Sequence, residues 1–536
     1  MRKLFSLIIP AGTALLLSTA CSATPAPAVS IASATPQLFM LEPTPDRDTL
    51  KRSADGYLAR VLADPASQEV TFIKLNSSLV NGQTHDLAVT MPNGKTAQFH
   101  LRDFSTITAG IEGWVGYKPS TWKSAHASSS AAEIDIDPLY YLSLAREGDA
   151  VVGSVIVDGQ RYRIDDLGAG KQVLIKVDES QLPQGAEPLQ ANVAGSVDDT
   201  PGKAPSSANS VLRVLFLVTN QRKAASPTYR LVLANALNDA NQYMINSDVG
   251  ITFELAGFYE GEYDETGRSY TQQLNDIRLA QPFAGEVLKQ REALGAHLVS
   301  MYSTARQYCG LAWLTASKAQ AHSVISCPAS LAHELGHNLG VHHGWTEGNA
   351  ERKPPYMHGY RNNTAPTFRT IMTGTSGAIP FFSNPRLQYQ GVPMGTTNHH
   401  DAARRFNERR VTVENFYPQP VMEFTLYEHE NYEGRSCTIV HLGSKLSSVL
   451  ANCGSGWNYM VSSVKIRGFV PGARATLESG GETLIWSKAN AGYTGELNIP
   501  SMDKAPIVPP GMERIWAGPA NDRLRFVGSD FMSKGQ

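Results

Sequence analysis

The sequence predicts a protein of several domains: a mostly-β region first, an α/β region in the centre and an all-β region at the end. Its 536 residues exceed what a single hydrophobic core usually supports. Strand-like runs broken by Asn-Gly and Asp-Gly turns fill residues 51–185. A continuous apolar run at 211–218 and helically spaced apolar residues after it indicate the α/β region. The net charge of −2 gives no sign of nucleic-acid binding or of attraction to an anionic membrane.

Residues 1–21 have the pattern of an export signal. Arg2 and Lys3 precede an apolar stretch too short to span a bilayer, and Ser18-Thr19-Ala20 offers a small-residue cleavage site. Cys21 follows directly, as in a bacterial lipoprotein signal that would lipidate this cysteine. Ordinary signal-peptidase cleavage nearby fits the same residues equally well. We therefore expect an extracytoplasmic protein, either secreted or lipid-anchored at the cell surface.

The chain has five cysteines, and export into oxidising surroundings predicts that they pair. Closeness in sequence pairs Cys309 with Cys327 and Cys437 with Cys453. Cys21 is then left without a partner, which favours its lipidation over a free reactive thiol. The sequence therefore predicts two disulfides and leaves Cys21 as a candidate for lipidation.

Two segments of biased composition separate the N-terminal regions. Residues 22–50 are rich in Ala, Pro, Ser and Thr and are predicted to be a flexible linker. Residues 51–185 form the predicted β domain. Residues 186–210 have no apolar period and are predicted to be a second linker where proteolytic cleavage can occur.

The central region carries the motif H-E-x-x-H-x-x-G-x-x-H, from His333 to His343. His333 and His337 are four residues apart, so both project from one helix face and can bind one zinc ion. Gly340 lets the chain leave the helix and bring in His343 as third ligand, with a fourth position open for water. Glu334 is placed to take a proton from that water. The alternative, a polar surface helix that binds nothing, conflicts with the apolar residues around the motif.

This motif resembles that of the metzincin zinc metallopeptidases, whose second signature is a methionine turn below the metal. Residues 370–373, which include Met372, fit that turn. Residues 308–313 are similar to the Cys-Gly-Leu-Ala stretch of the reprolysin (adamalysin-like) branch, and Phe382-Ser383-Asn384-Pro385 is similar to its bacterial secreted members. The resemblance covers residues 211–418. It implies an α/β metzincin catalytic domain with zinc as cofactor and a protein or peptide as substrate.

The predicted β domain at 51–185 resembles the propeptides of bacterial relatives, which implies a zymogen. An independent binding module is the alternative interpretation. The domain contains no cysteine, so it has no thiolate with which to block the zinc. Latency would therefore need another ligand or simple occlusion of the cleft.

The tail, residues 421–530, has two tyrosines and a glycine at the spacing of a folded hairpin: Tyr427, Tyr432 and Gly434. The two rings are expected to stack, Gly434 to adopt positive φ, and Ser462 or Ser463 to hydrogen-bond back to the hairpin. This pattern resembles a βγ-crystallin module and implies an all-β Greek-key domain.

Calcium is a second candidate cofactor, since some βγ-crystallin modules bind it. Calcium-binding members carry an Asn or Asp pair before the serines, whereas here Asn458 is followed by Tyr459. The resemblance therefore gives calcium little support.

Taken together, the motifs predict a monomeric, exported zinc endopeptidase without a nucleic-acid partner, whose only candidate membrane contact is a lipid anchor at Cys21. One alternative is a surface-exposed binding or adhesin-like protein with a vestigial zinc-protease domain. The presence of Glu334 argues against it, because an inactive site has no use for a general base. The methionine turn argues against a third class, the zinc hydrolases that do not cleave peptides.

Overall fold

The structure is a computed structural model. The residues that it describes are 35–108, 110–126, 130–190, 208–283, 285–374, 377–417, 421–442, 447–457, 460–469, 473–478, 483–489, 495–504, 512–516, 524 and 526–531. The predicted export signal with Cys21, most of the second predicted linker, and the Asn458-Tyr459 pair lie outside these residues. Within them, no helix has both the length and the apolar character needed to cross a membrane.

The N-terminal domain is built on a nine-stranded sheet in the order β1-β2-β9-β8-β7-β6-β5-β4-β3. Its strands are β1 (Phe39–Leu41), β2 (Ser67–Leu75), β3 (Asp86–Thr90), β4 (Thr96–Thr108), β5 (Ile111–Pro119), β6 (Ile136–Glu147), β7 (Ala150–Val157), β8 (Gln160–Gly168) and β9 (Lys171–Val177). Its helices are α1 (Arg47–Ser53), α2 (Gly56–Ala63) and α3 (Thr121–Ala125). Backbone hydrogen bonds join Leu38 N to Ala88 O (2.9 Å) and Ala88 N to Pro36 O (2.8 Å). They connect the two ends of the sheet, which closes on itself.

The structure differs from the flexible linker predicted for residues 22–50. The described part of this segment contains β1 and α1, and β1 pairs with β2. Phe39 is 2% exposed and Leu50 is 5% exposed, so both belong to the hydrophobic core. Burial of apolar side chains such as Phe39 and Leu50 therefore orders a segment whose composition indicated a linker.

The central domain has a five-stranded sheet in the order β11-β10-β12-β14-β13, with β13 antiparallel to β14 and the other pairs parallel. Its strands are β10 (Ser210–Val218), β11 (Ile251–Tyr259), β12 (Leu298–Tyr302), β13 (Gly310–Ala312) and β14 (His322–Ile325). Four short strands lie outside it: β15 (Arg361–Asn362), β16 (Phe368–Arg369), β17 (Asn384–Tyr389) and β18 (Val392–Met394). Its helices are α4 (Asn220–Ala225), α5 (Tyr229–Asn246), α6 (Tyr270–Leu279), α7 (Glu286–Leu294), α8 (Leu331–Asn338) and α9 (Ala402–Glu414). The chain thus combines a β-rich N-terminal region with an α/β domain, as predicted.

A buried polar cluster joins the N-terminal domain to helix α5. The Asp239 carboxylate accepts hydrogen bonds from the Tyr141 hydroxyl (2.8 Å) and the Ser154 hydroxyl (2.9 Å). Burial raises the pKa of Asp239, which these donors partly oppose. The two domains are therefore packed against each other through specific polar contacts as well as apolar ones.

The tail contains two antiparallel sheets, in the orders β20-β19-β22-β25 and β21-β27-β23-β24-β26. Its strands are β19 (Val421–Tyr427), β20 (Ser436–Leu442), β21 (Ser447–Ser448), β22 (Ser463–Arg467), β23 (Ala473–Glu478), β24 (Thr483–Ala489), β25 (Leu497–Ile499), β26 (Met512–Trp516) and β27 (Phe526–Phe531). One helix, α10 (Val449–Cys453), follows β21. Both sheets contribute to one apolar core that includes Phe424 and Leu477.

The hairpin predicted in the tail is present, with one difference. Gly434 has φ 78°, and Ser463 binds the hairpin through two hydrogen bonds, from Tyr432 N to Oγ (3.0 Å) and from Oγ to His429 O (2.6 Å). The Tyr427 and Tyr432 rings lie 5.6 Å apart but meet edge-to-face at 69° instead of stacking. This geometry is one of the two that aromatic pairs prefer.

Candidate active site

Helix α8 holds the first half of the histidine motif at the centre of the α/β domain. All eight of its residues are buried. A disulfide between Cys309 and Cys327 connects the start of β13 to the segment that leads into the helix, and the tail contains the second disulfide, Cys437–Cys453. The first of these ties the edge strand of the sheet to the entrance of the helix.

The three motif histidines converge on one point. His333 Nε2 and His337 Nε2 each lie 3.1 Å from His343 Nε2. His343 reaches them because the chain turns at Gly340, whose φ of 91° lies in the left-handed region that glycine tolerates best. The turn is closed by Arg405, whose buried guanidinium donates from Nε to Gly340 O (3.2 Å).

The opposite nitrogen of each ring is held by an acceptor. His333 Nδ1 donates to Ile371 O (3.1 Å), His337 Nδ1 to Val341 O (2.7 Å) and His343 Nδ1 to a carboxylate oxygen of Glu187 (3.1 Å). A proton on each Nδ1 leaves the Nε2 lone pairs free. Burial lowers the pKa of His333 to about 3 and that of His337 well below its usual range, so both rings are neutral.

With the protons on Nδ1, His343 Nε2 lies 3.1 Å from two other Nε2 acceptors and has no proton to share with them, which is unfavourable unless a cation lies between the three. Two zinc–nitrogen bonds of 2.0–2.1 Å at a tetrahedral angle place their nitrogens roughly 3.3 Å apart. The three histidines also form a group whose ligand atoms all lie within 4.8 Å of one another. The donor set therefore fits a zinc site.

Glu334 lies beside this group and is almost fully buried, at 2% exposed. Burial raises its pKa well above the usual range of a carboxyl group. Its Oε2 has no hydrogen-bond partner among the residues that the structure describes. The carboxylate packs against Gly310 of the edge strand, where a Cβ atom would lie 2.3 Å from Glu334 Oε1. Glycine at position 310 therefore makes room for this carboxyl group.

Met372 packs under the helix that carries the histidines. It is fully buried, and its Sδ lies so close to Gly336 that an added Cβ there would be 2.8 Å away. The residue before it, Ile371, supplies the carbonyl that orients His333. The segment predicted as a methionine turn thus contacts both the helix and the first histidine.

Residues 184–189, here called the cleft segment, run along the edge strand β13. Cys309 N donates to Gln184 O (3.2 Å), Leu189 N donates to Ala312 O (2.9 Å) and Leu314 N donates to Leu189 O (2.8 Å). Sequence analysis missed this pairing, because it assigned residues 186–210 to a linker. Backbone hydrogen bonds between segments more than 100 residues apart do not require a hydrophobic pattern, so the sequence offers no signal for them.

The cleft segment also contacts the histidines. Glu187 accepts from His343 Nδ1, and its other oxygen lies 3.5 Å from His342 Nε2. The hydrogen bond from His343 is the main reason that the pKa of Glu187 is lowered to about 2. The cleft is therefore occupied by the chain's own N-terminal region.

Next to the histidines lies a cavity of about 730 Å³. Its walls include His333, His343, the loop after Met372, the end of the N-terminal domain and two arginines, Arg361 and Arg369. Sequence analysis did not single out either arginine. His358 donates from Nδ1 to the His343 carbonyl (2.7 Å) and so supports the third histidine.

Comparisons with known proteins agree with this geometry. Residues 232–344 match the family described as "Metallo-peptidase family M12B Reprolysin-like". The chain is 29% identical over 395 residues to a peptidyl-Asp metalloendopeptidase of Xanthomonas campestris pv. campestris, with 70% of this chain and 92% of the relative covered. It is 28% identical over 408 residues to a peptidyl-Asp metalloendopeptidase of Stenotrophomonas maltophilia, with 72% and 96% covered.

Among solved structures, metalloproteinase-II from Bacteroides fragilis matches with a TM-score of 0.31 and 9% identity, covering 62% of this chain and 92% of that one. The family match includes the whole histidine motif, residues 333–343, and the relatives align along nearly their whole length. The chain therefore contains a reprolysin-like metallopeptidase domain, is homologous to the peptidyl-Asp metalloendopeptidases, and is a zinc metalloendopeptidase.

Proposed function

We propose that His333, His337 and His343 hold the zinc ion of this endopeptidase and that Glu334 is its general base. The observation that carries the proposal is that the Nε2 atoms of the three motif histidines meet at one point, beside the buried carboxyl group of Glu334. Met372 supports the site from below through its contact with helix α8. These are the residues that the sequence motif pointed to.

Zinc bound to the three histidines would supply a Lewis acid that polarises the scissile carbonyl and makes a water molecule more acidic. Glu334 takes the proton of the attacking water on its unpartnered Oε2 and passes it to the leaving amine. The backbone of β13 holds the substrate by strand addition, through the groups that now bind the cleft segment. Glu334 packs against this same strand, so the base lies next to the bound peptide backbone.

We further propose that the substrate carries an aspartate at the cleavage site. The support comes from the relatives, whose names state that they are peptidyl-Asp metalloendopeptidases. Their similarity to this chain extends over about 70% of its length, which includes the histidine motif. Sequencing of the fragments of a digested protein tests this preference directly.

The N-terminal β domain is proposed to be a propeptide. Its last segment lies along the edge strand and contacts His343 through Glu187, so a substrate has no access to the same backbone groups. This provides the occlusion that a domain without cysteine requires. Residues 211–418 would then be the catalytic domain released on maturation.

Export rests on the pattern of residues 1–21, and two modes of export fit it. Lipidation of Cys21 would anchor the precursor to a membrane, with about 0.8 kcal/mol contributed per buried CH₂ group. Plain secretion would leave no acyl chain. The mass of the precursor's N-terminal peptide decides between these two modes, since only an anchored precursor carries the added lipid.

We propose that the tail is a βγ-crystallin-like Greek-key module. The support is the hairpin with positive φ at Gly434 and the two hydrogen bonds of Ser463. Whether the module also binds calcium is measurable by calorimetric titration of the full chain with calcium. Heat of binding that disappears when Ser463 is replaced would assign calcium to this module, and no heat would exclude it.

The zinc dependence of the proposed function is testable by metal removal. We expect the matured enzyme to stop cleaving a fluorogenic peptide library when a chelator strips the metal, and to regain activity when zinc is added back. The reason is that the zinc supplies the Lewis acid, a role that Glu334 does not fill as a general base. Cleavage that continues in protein shown by elemental analysis to be metal-free would contradict the proposal.

A further inference from the structure

We propose that Arg361 and Arg369 form a pocket that selects an acidic side chain beside the scissile bond of the substrate. The inference rests on the proposed function, since it names the residues through which an aspartate preference would act. Neither the family match nor the relatives' names identify them.

The two arginines are neighbours on one small hairpin. Arg361 in β15 and Arg369 in β16 are directly opposite each other in the antiparallel register, so their side chains leave the same face. Both line the cavity that also contains His333 and His343. Arg369 lies three positions before Met372, so the hairpin leads directly into the turn below the histidines.

Electrostatics favours an anion between them. Burial lowers the pKa of Arg369, and the positive charge of Arg361 lowers it further. Arginine side chains in general carry a positive charge near neutral pH. Two like charges held on opposite strands repel each other, and a carboxylate placed between them relieves that repulsion.

The N-terminal domain already places a carboxylate in this cavity. Glu179 lines this cavity. Its negative charge raises the pKa of Arg369 and so partly opposes the lowering caused by burial and by Arg361. Its Oε2 accepts a hydrogen bond from Gly377 N (2.7 Å), and its Oε1 accepts one from Arg161 Nε (2.7 Å). Gly377 lies against Arg369, since an added Cβ would be 2.9 Å from Arg369 Nη2.

When the propeptide leaves, Glu179 and Arg161 leave together, and the Gly377 N–H group and the two arginines remain. A carboxylate from the substrate can then take the position of Glu179. A guanidinium group binds a carboxylate through two parallel N–H donors, whereas an amide of the same shape offers only one oxygen and no charge. The pocket is therefore expected to prefer aspartate over asparagine.

The test compares two peptides that differ only in Asp or Asn at the cleavage position. The readout is the ratio of kcat/KM for the two peptides, measured on one preparation of matured enzyme. This ratio does not depend on how much of the preparation is folded, so a partly unfolded variant still gives a valid result. The variants are Arg361→Gln, Arg369→Gln and Arg369→Lys.

We expect the wild-type enzyme to favour the Asp peptide and each Gln variant to lower the Asp/Asn ratio by about 10- to 100-fold, the range for hydrogen bonds to charged groups. Arg369→Lys should give an intermediate ratio, because it keeps the charge and loses the planar fork. Arg230→Gln is the matched control: Arg230 is 43% exposed, pairs with Glu260 and does not line the cavity, so its ratio should equal the wild-type ratio.

The outcomes separate this inference from the function on which it rests. If the wild type cleaves neither peptide nor any other, the proposed function fails. If it cleaves peptides but the Asp/Asn ratio is near one, or is unchanged in both Gln variants, the endopeptidase stands and the arginine pocket is refuted. A fall of the ratio in the Gln variants but not in Arg230→Gln supports the pocket.

Discussion

Glu334→Gln is expected to lower peptide turnover by at least ~10²–10⁴-fold, the usual cost of losing a general base, while zinc remains bound. Glutamine has nearly the same shape as glutamate and fits the space beside Gly310, but its amide does not accept a proton. The three Nε2 atoms do not depend on this carboxyl group for their orientation, since each Nδ1 is held by another acceptor. The Glu334→Gln variant should therefore lose activity while it keeps its zinc.

Two further variants sharpen this prediction. Glu347→Gln makes the same change at an exposed carboxyl group four residues after His343 and should leave turnover unchanged. Gly310→Ala places a methyl group 2.3 Å from Glu334 Oε1 and should lower turnover through displacement of the base. Turnover is measured on one fluorogenic peptide, and zinc by elemental analysis. Near-normal cleavage by Glu334→Gln would rule out Glu334 as the base.

Release of the propeptide is expected to raise peptide cleavage by at least ~10²-fold, because a tethered segment competes with substrate at an effective concentration in the millimolar range. The cleft segment uses the backbone groups of Cys309, Ala312 and Leu314, which are those available to a substrate strand. The polar cluster at Asp239 joins the N-terminal domain to helix α5 in the uncut chain.

The measurement compares kcat/KM of the purified precursor with that of the matured form and sequences the N-terminus of the matured form. We expect the matured chain to begin near Val211, at the start of β10. The zinc content of the two forms serves as the control, since both should hold the metal. Full activity in a chain that still begins near residue 22 would refute the propeptide assignment.

The local part of the site was predictable from the sequence. The spacing of His333 and His337 places both rings on one helix face, and the positive φ of Gly340 is what the motif requires. The buried strand at 211–218 also follows from a continuous apolar run and matches β10. In these cases the signal lies within a few consecutive residues.

Contacts between distant segments were not predictable. The cleft segment, Arg361 and Arg369 owe their positions to the folded chain, which brings residues more than 100 positions apart to one cavity. Strand β5 has no clear strand pattern for a different reason: it contains Gly113 and Gly116, and glycine weakens a strand, whereas here Gly116 leaves space for the Trp114 ring, which would lie 2.4 Å from an added Cβ.

The most direct test of the central claim is the zinc content of His343→Ala beside that of His342→Ala. The two histidines are adjacent, yet only the His343 Nε2 lies within 3.1 Å of both His333 and His337. We predict about one zinc per chain in the wild type and in His342→Ala, and a clear loss in His343→Ala, as measured by elemental analysis. Full zinc retention in His343→Ala, or an equal loss in both variants, would contradict the proposed metal site.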